Sequence, residues 1–167
     1  YRAFGAGAAE QLLFGEGLGP DLGMGAQLSR DGRWLVIRVG RGTSGGNDLY
    51  LMDATTRTAP VAMVTGTDRN YNSAFAGDRI VIHTDWNAPK GRVMLTTPDA
   101  PQRERWREIV PEGSSPIAGI SLVGGKLWVR YLEDVQARVK GFDLEGRPFR
   151  ELTMSGVGTL GGLGGEW

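Results

Sequence analysis

The sequence predicts an all-β protein, a partial β-propeller, and three observations carry that reading. Glycine supplies 27 of the 167 residues, about twice its usual share of roughly 7%. The glycines punctuate short apolar runs of strand length and have no collagen-like period. A tight turn, a basic residue and an apolar strand recur as D-G-R-W-L-V-I (31–37), G-D-R-I-V-I (77–82) and G-G-K-L-W-V (124–129). The basic residues Arg33, Arg79 and Lys126 are spaced by about 46 residues, within the roughly 40–50 typical of a propeller blade.

Each repeat accounts for four strands. A Gly- and Ala-rich strand precedes the basic residue at 25–29, 73–76 and 118–123. The apolar strand after it is the second. A third comes at 48–53, 91–96 and 137–144, and a fourth at 61–65, 106–111 and 149–154. These make three complete four-stranded antiparallel blades, at about 23–66, 70–111 and 117–155. Small residues suit innermost strands crowded around a channel, and the hairpins need positive φ. The repeat also predicts that Trp34, Ile80 and Leu127, each one residue past a basic residue, occupy equivalent positions and face the same side of their sheets.

The ends read as two partial blades. Residues 1–4 and 11–14 pattern as the last two strands of a preceding blade, and 157–163 as the first strand of a further one. Three blades cannot close a ring, so more blades are expected from a longer protein. An ordinary β-sandwich is the competing architecture, with less regular strand spacing.

Composition removes several function classes. Lys+Arg and Asp+Glu are both 19, so bulk charge favours neither nucleic acid nor an anionic membrane. With no cysteine there is neither a disulfide framework nor a thiolate metal site, which leaves the compartment open: a soluble protein of cytoplasm or periplasm. No apolar run approaches the roughly 18 residues of a membrane helix. No cofactor is expected.

The stretch R-V-G-R-G-T-S-G-G-N-D-L-Y (38–50) contains G-x-G-x-x-G at Gly40, Gly42 and Gly45. A dinucleotide fingerprint needs a helix directly after the glycines, whose N-terminal amides hold the pyrophosphate. The strand-length run D-L-Y-L-M-D (48–53) occupies that place, so the glycines are expected to serve an inter-strand loop. Asp68-Arg69-Asn70-Tyr71-Asn72 imitates the start of a calcium loop, but Ser73 and Arg79 stand where that loop needs glycine and glutamate. It reads as a turn in which Asn and Asp tolerate left-handed backbone. The segment 103–108 alternates charge and reads as an outer strand guarding a sheet edge, not as a nucleic-acid stripe. Glu133 and Asp134, adjacent in a hairpin, point to different faces and make a poor acid–base couple, so solvation at the hairpin tip is expected of them. The glycine-rich tail 161–165 reads as a tightly packed inner strand or a frayed end.

Longer motifs carry a resemblance. G-M-G-A-Q-L-S-R-D-G-R-W-L-V-I…N-D-L-Y-L-M-D, H-T-D-W-N-A-P-K-G-R-V-M-L, W-R-E-I-V-P-E-G and Y-L-E-D-V-Q-A-R-V-K-G-F-D-L-E-G resemble the propeller of the prolyl oligopeptidase family across essentially the whole sequence. The resemblance implies one segment, 1–167, of a single propeller domain: blades four to six of seven, with the edge of blade three and the start of blade seven. Members are serine peptidases that cut short peptides after proline, with a Ser-Asp-His triad on an α/β-hydrolase domain capped by the propeller. That domain is absent from this chain. There is no G-x-S-x-G elbow, and the one histidine, His83, lies in an apolar strand and is expected to be structural.

The implied partners are therefore the catalytic domain and short proline-containing peptides. By the same resemblance, the 40–46 hairpin of blade four faces the catalytic domain. Thr43, with Arg41 and Ser44, would approach the substrate pocket, and replacing Gly45 and Gly46 by alanine, which removes easy access to positive φ, is expected to alter peptide turnover more than stability. The propeller would then act as a size filter. A non-enzymatic propeller serving as a protein-interaction scaffold is the alternative, and an oligomerising propeller fragment a third.

Overall fold

The structure is a computed structural model that describes residues 12–42, 45–133, 136–153 and 163–164. It contains three four-stranded sheets, each a simple antiparallel meander in chain order. The first blade holds β1 (Leu22–Leu28), β2 (Trp34–Arg41), β3 (Asn47–Asp53) and β4 (Val61–Val64). In the second are β5 (Tyr71–Ala76), β6 (Arg79–Thr84), β7 (Arg92–Thr96) and β8 (Arg107–Val110). The third comprises β9 (Ile117–Val123), β10 (Lys126–Glu133), β11 (Gln136–Phe142) and β12 (Pro148–Thr153). All twelve expected strands are present, within a few residues of their expected bounds. Among the described residues no helix is long and apolar enough to cross a membrane.

The blades pack face to face through two apolar layers. Val36, Leu49 and Leu51 of the first blade meet Tyr71, Ile80, Ile82 and Met94 of the second. On its other side the second blade sets Val81, Val93 and Leu95 against Leu127, Val129 and Phe142 of the third. A sheet covered on both faces cannot alternate apolar with polar residues. R-I-V-I-H-T and R-V-M-L-T are accordingly near-continuous apolar runs. Each such side chain fully buried contributes about 1.5–3 kcal/mol.

The turns correct one expectation. The hairpins β5–β6 and β9–β10 close through two residues, Gly77-Asp78 and Gly124-Gly125. Gly124 and Gly125 have φ of 59° and 69°, the paired positive values that a type I′ turn demands. The first blade instead inserts a longer loop at 30–33, with Ser29 N–H donating to the Trp34 carbonyl. Asp31 organises this loop, accepting from the Ser29 hydroxyl and the Arg33 amide. Trp34, not Arg33, is therefore the structural counterpart of Arg79 and Lys126. Ile80 and Leu127 both face the preceding blade, as expected of equivalent positions. Trp34 packs toward the second blade instead, and the true counterpart is Leu35. Two extra turn residues shift the register by one, and one residue of shift reverses the face.

At the ends, residues 1–11 and 154–162 lie outside the described residues, with the strands expected there and most of the glycine tail. Residues 12–14 are not in a strand. The Phe14 ring nevertheless packs 4.9 Å from Tyr50, on the face of the first blade turned away from the second. Leu163 N–H donates to Ser121 Oγ at 3.3 Å, against the outer face of the third blade.

Three smaller expectations are revised. Arg103–Arg105 forms a single 3-10 turn, and Trp106 is buried edge-on against Tyr71 instead of lying in an outer strand. Neither Asp68, Asn70 nor Asn72 takes positive φ; among the described residues, the non-glycine ones that do are Arg57 and Asn87. Glu133 is not merely solvated: it pairs with Arg138 at 2.7 Å and accepts from the Ser115 hydroxyl. Asp134 lies outside the described residues.

Candidate functional site

Antiparallel meanders put every second hairpin at the same end of the blades. One rim thus gathers the β2–β3 hairpin, the β6–β7 loop (85–91) and the β10–β11 hairpin, together with the links that enter β5 and β9.

In the first blade, Arg41 closes β2 and does not project freely. Its guanidinium pairs with Asp48 at 2.5 Å and donates to the Thr67 carbonyl at 2.8 Å. The Gly45 and Gly46 backbones bond back to Arg41, closing the loop. Thr43 and Ser44 lie outside the described residues, so only Arg41 of the three expected site residues can be placed. It fastens the hairpin to the link between blades.

The same rim holds Asn47, which the sequence shows only as the entry to a strand. It is fully buried. Its Oδ1 accepts from the Tyr71 N–H at 2.8 Å and its Nδ2 donates to the Tyr71 carbonyl at 3.0 Å. One side chain thereby satisfies both backbone groups of the residue that starts the next blade. The Asn47 backbone N–H also donates to the Arg69 carbonyl. A side-chain amide carries the donor and acceptor this requires, which no carboxylate or aliphatic chain does.

In the second blade the rim forms a cleft of about 200 Å³ lined by Asn70, Asn72, His83, Asp85 and Lys90 among others. The Asp85 carboxylate accepts from the Asn70 amide. Lys90 is tied to the third blade's approach: its amide donates to Glu112, its Nζ to the Ser114 carbonyl, and its carbonyl accepts from Ile117. His83 sits half-buried in β6, and burial lowers its pKa against the opposing pull of Asp85. Among the described residues no group of three His, Cys, Asp or Glu could hold a metal ion.

At the opposite rim, carboxylates cap turns. Asp53 accepts from the Thr55 hydroxyl and from the Thr55 and Thr56 amides, and this holds its pKa at about 2. Asp143 does the same for Glu145 and Arg147 and is also lowered. Depressed pKa values mean the unfolded chain binds more protons than the native one as pH falls. Stability is therefore expected to decline below pH 6.5, where His83 must charge, and again from pH 3.8 toward 2, where the aspartates protonate. Thermal melts across this range check it, and Asp53→Asn should flatten the lower step. A Tm that rises on acidification would contradict both assignments.

The profile of the prolyl oligopeptidase N-terminal β-propeller domain matches residues 1–167. The chain belongs to this family. It is 32% identical over 158 residues to a prolyl endopeptidase of Elizabethkingia miricola and 34% identical to one of Elizabethkingia meningoseptica. Each alignment covers 94% of this chain, which spans 22% of the length of those relatives. Among solved structures, one from a study of two prolyl endopeptidases and the role of inter-domain dynamics in their catalysis and specificity matches with TM-score 0.77 and 36% identity. That match covers 83% of this chain and 20% of the other. The prolyl oligopeptidase B of Galerina marginata matches with TM-score 0.72 at 20% identity, over 86% of this chain and 21% of the other, which speaks for the fold alone. Within a prolyl oligopeptidase propeller, the repeat and the three meanders are blades.

Proposed function

We propose that this chain is the gating part of a serine endopeptidase that cleaves short peptides after proline, comprising blades four to six of a seven-bladed ring. The observation that carries this reading is the likeness, along nearly the whole chain, to two prolyl endopeptidases. The propeller supplies no nucleophile, base or oxyanion hole. Its contribution is access: β1, β5 and β9 line a channel, and the rim bearing the β2–β3 hairpin faces a catalytic α/β-hydrolase domain. Closure of that interface excludes folded proteins and shields the reaction from water. Small residues on the inner strands, such as Gly23, Gly25, Ala74, Ala118 and Gly119, keep the channel wall flat.

The complete protein is expected to hydrolyse a proline-containing peptide, to be blocked by a serine-directed reagent, and to lose activity steeply as the peptide lengthens. Residues 1–167 alone should show no turnover. Thr43→Trp in the complete protein should raise KM for the longer peptide first, and His83→Ala should retain turnover. A complete protein that cleaves no such peptide would leave the scaffold reading standing instead.

A further inference from the structure

The second strand of every blade carries a basic or imidazole side chain at the same height. Counted from the equivalent residues Trp34, Arg79 and Lys126, the fifth position holds Arg38, His83 and Arg130. Each stands opposite a small or amide residue of the innermost strand: Gly25, Asn72 and Gly119. With so little in the way, the basic group can lie along the inner strand toward the channel. Arg130 does so, donating to the Ala118 carbonyl at 3.1 Å. A methyl on Gly119 would sit 2.9 Å from its Nη2. His83 packs on Gly91, where a methyl would sit 2.8 Å from Nε2.

Arg38 is the exposed member of the set. Its guanidinium lies over Gly40, 3.7 Å from where a methyl would be. Among the described residues it makes no hydrogen bond or ion pair, unlike Arg41 three residues on. It borders a cleft of about 210 Å³ between the first two blades, lined also by Gln27, Asn72 and Ser73 and by no carboxylate. A guanidinium fork beside amide and hydroxyl donors is complementary to a carboxylate.

We infer that the Arg38 cleft is a carboxylate-binding site on the channel wall, which captures the C-terminal or acidic side-chain carboxylate of a peptide on its way through the propeller. This rests on the proposed peptidase reading for its ligand. It goes beyond that reading by giving the channel a charge preference as well as a width.

The test uses the complete protein and three peptides of equal length: one with a free C-terminus and no acidic residue, one C-terminally amidated with a single Glu, and one amidated with none. Calorimetric titration of the wild type is expected to show the first or second binding about three- to tenfold more tightly than the third, the scale of a charge-assisted contact in a partly open cleft. Preference for the first alone assigns the terminal carboxylate, and for the second alone the side chain. Arg38→Gln should erase the preference. Raising the salt concentration tenfold should erase it in the wild type, independently of any effect of the substitution on folding. Equal affinities for the three peptides, or a preference that survives Arg38→Gln, overturns the site. Binding is read without turnover, so an inactive protein would count against the peptidase reading while the titration still decides on the site.

Discussion

Asn47→Ala is expected to lower the unfolding free energy by about 2–6 kcal/mol, because it strands two buried backbone groups at once. Tyr71 is as fully buried as Asn47, so neither its N–H nor its carbonyl can turn to water. Each unsatisfied group costs about 1–3 kcal/mol. The damage falls at a junction between blades, where the first turn of chain into β5 is held. Asn47→Asp should be worse at neutral pH. A carboxylate keeps the acceptor for the Tyr71 amide but faces the Tyr71 carbonyl with oxygen and buries a charge. Protonation restores a donor, so the deficit of Asn47→Asp relative to wild type should shrink as pH falls. Urea unfolding at two pH values, with m unchanged, measures both effects. A loss below about 0.5 kcal/mol for Asn47→Ala, the level of an ordinary surface substitution, would show that the stitch is redundant.

The contrast between Asn47 and the strands shows what a sequence makes legible. Strands and their order are local properties. R-I-V-I-H-T, R-V-M-L-T and the Gly-Gly turn at 124–125 each declare themselves within about six residues, and a repeat confirms them. The basic residue is a poor fixed point for placing Trp34, because the turn before it varies in length; only pairing partners such as Leu28 and Leu35 reveal the shift. Asn47 stands inside the very motif that resembles the family, G-G-N-D-L-Y, yet its role depends on a backbone 24 residues away. A buried amide beginning a strand directly after a glycine pair is the available signal. Arg38 is hidden for a related reason: what distinguishes it is the glycine across the sheet, which no sequence neighbour announces. The loop residues Thr43 and Ser44 lie outside the described residues, and only the resemblance points to them.

Gly46→Ala is expected to destabilise the protein by about 1–3 kcal/mol or more, the cost of forcing extra volume into a packed contact. The sequence suggests otherwise for this loop, namely that its glycines supply positive φ and that alanine there would touch turnover more than stability. Gly42 does have positive φ, 60°, with open space around it. Gly45 and Gly46 do not. A methyl on Gly46 would instead overlap the backbone N and O of Arg69 and lie 2.6 Å from the carbonyl carbon of Asp68. Backbone cannot swing aside as a side chain can, so the link between blades must move, and with it the Asn47–Tyr71 contact. Gly45→Ala presses on Arg41 within the same hairpin, 2.5 Å from its carbonyl oxygen, and should disturb the loop more than the junction. Gly42→Ala meets nothing and should cost only about 1–2 kcal/mol for its left-handed backbone. Melts of the three single variants should therefore rank Gly46→Ala lowest, and Gly46→Ala combined with Asn47→Ala should fall short of additive, since both break one junction. Gly42→Ala then becomes the variant suited to ask whether the hairpin meets a catalytic domain, through peptide turnover with the junction between blades left intact. A Gly46→Ala melt equal to wild type would mean that the close approach to Arg69 is not a packed contact, and the hairpin would return to being a surface loop.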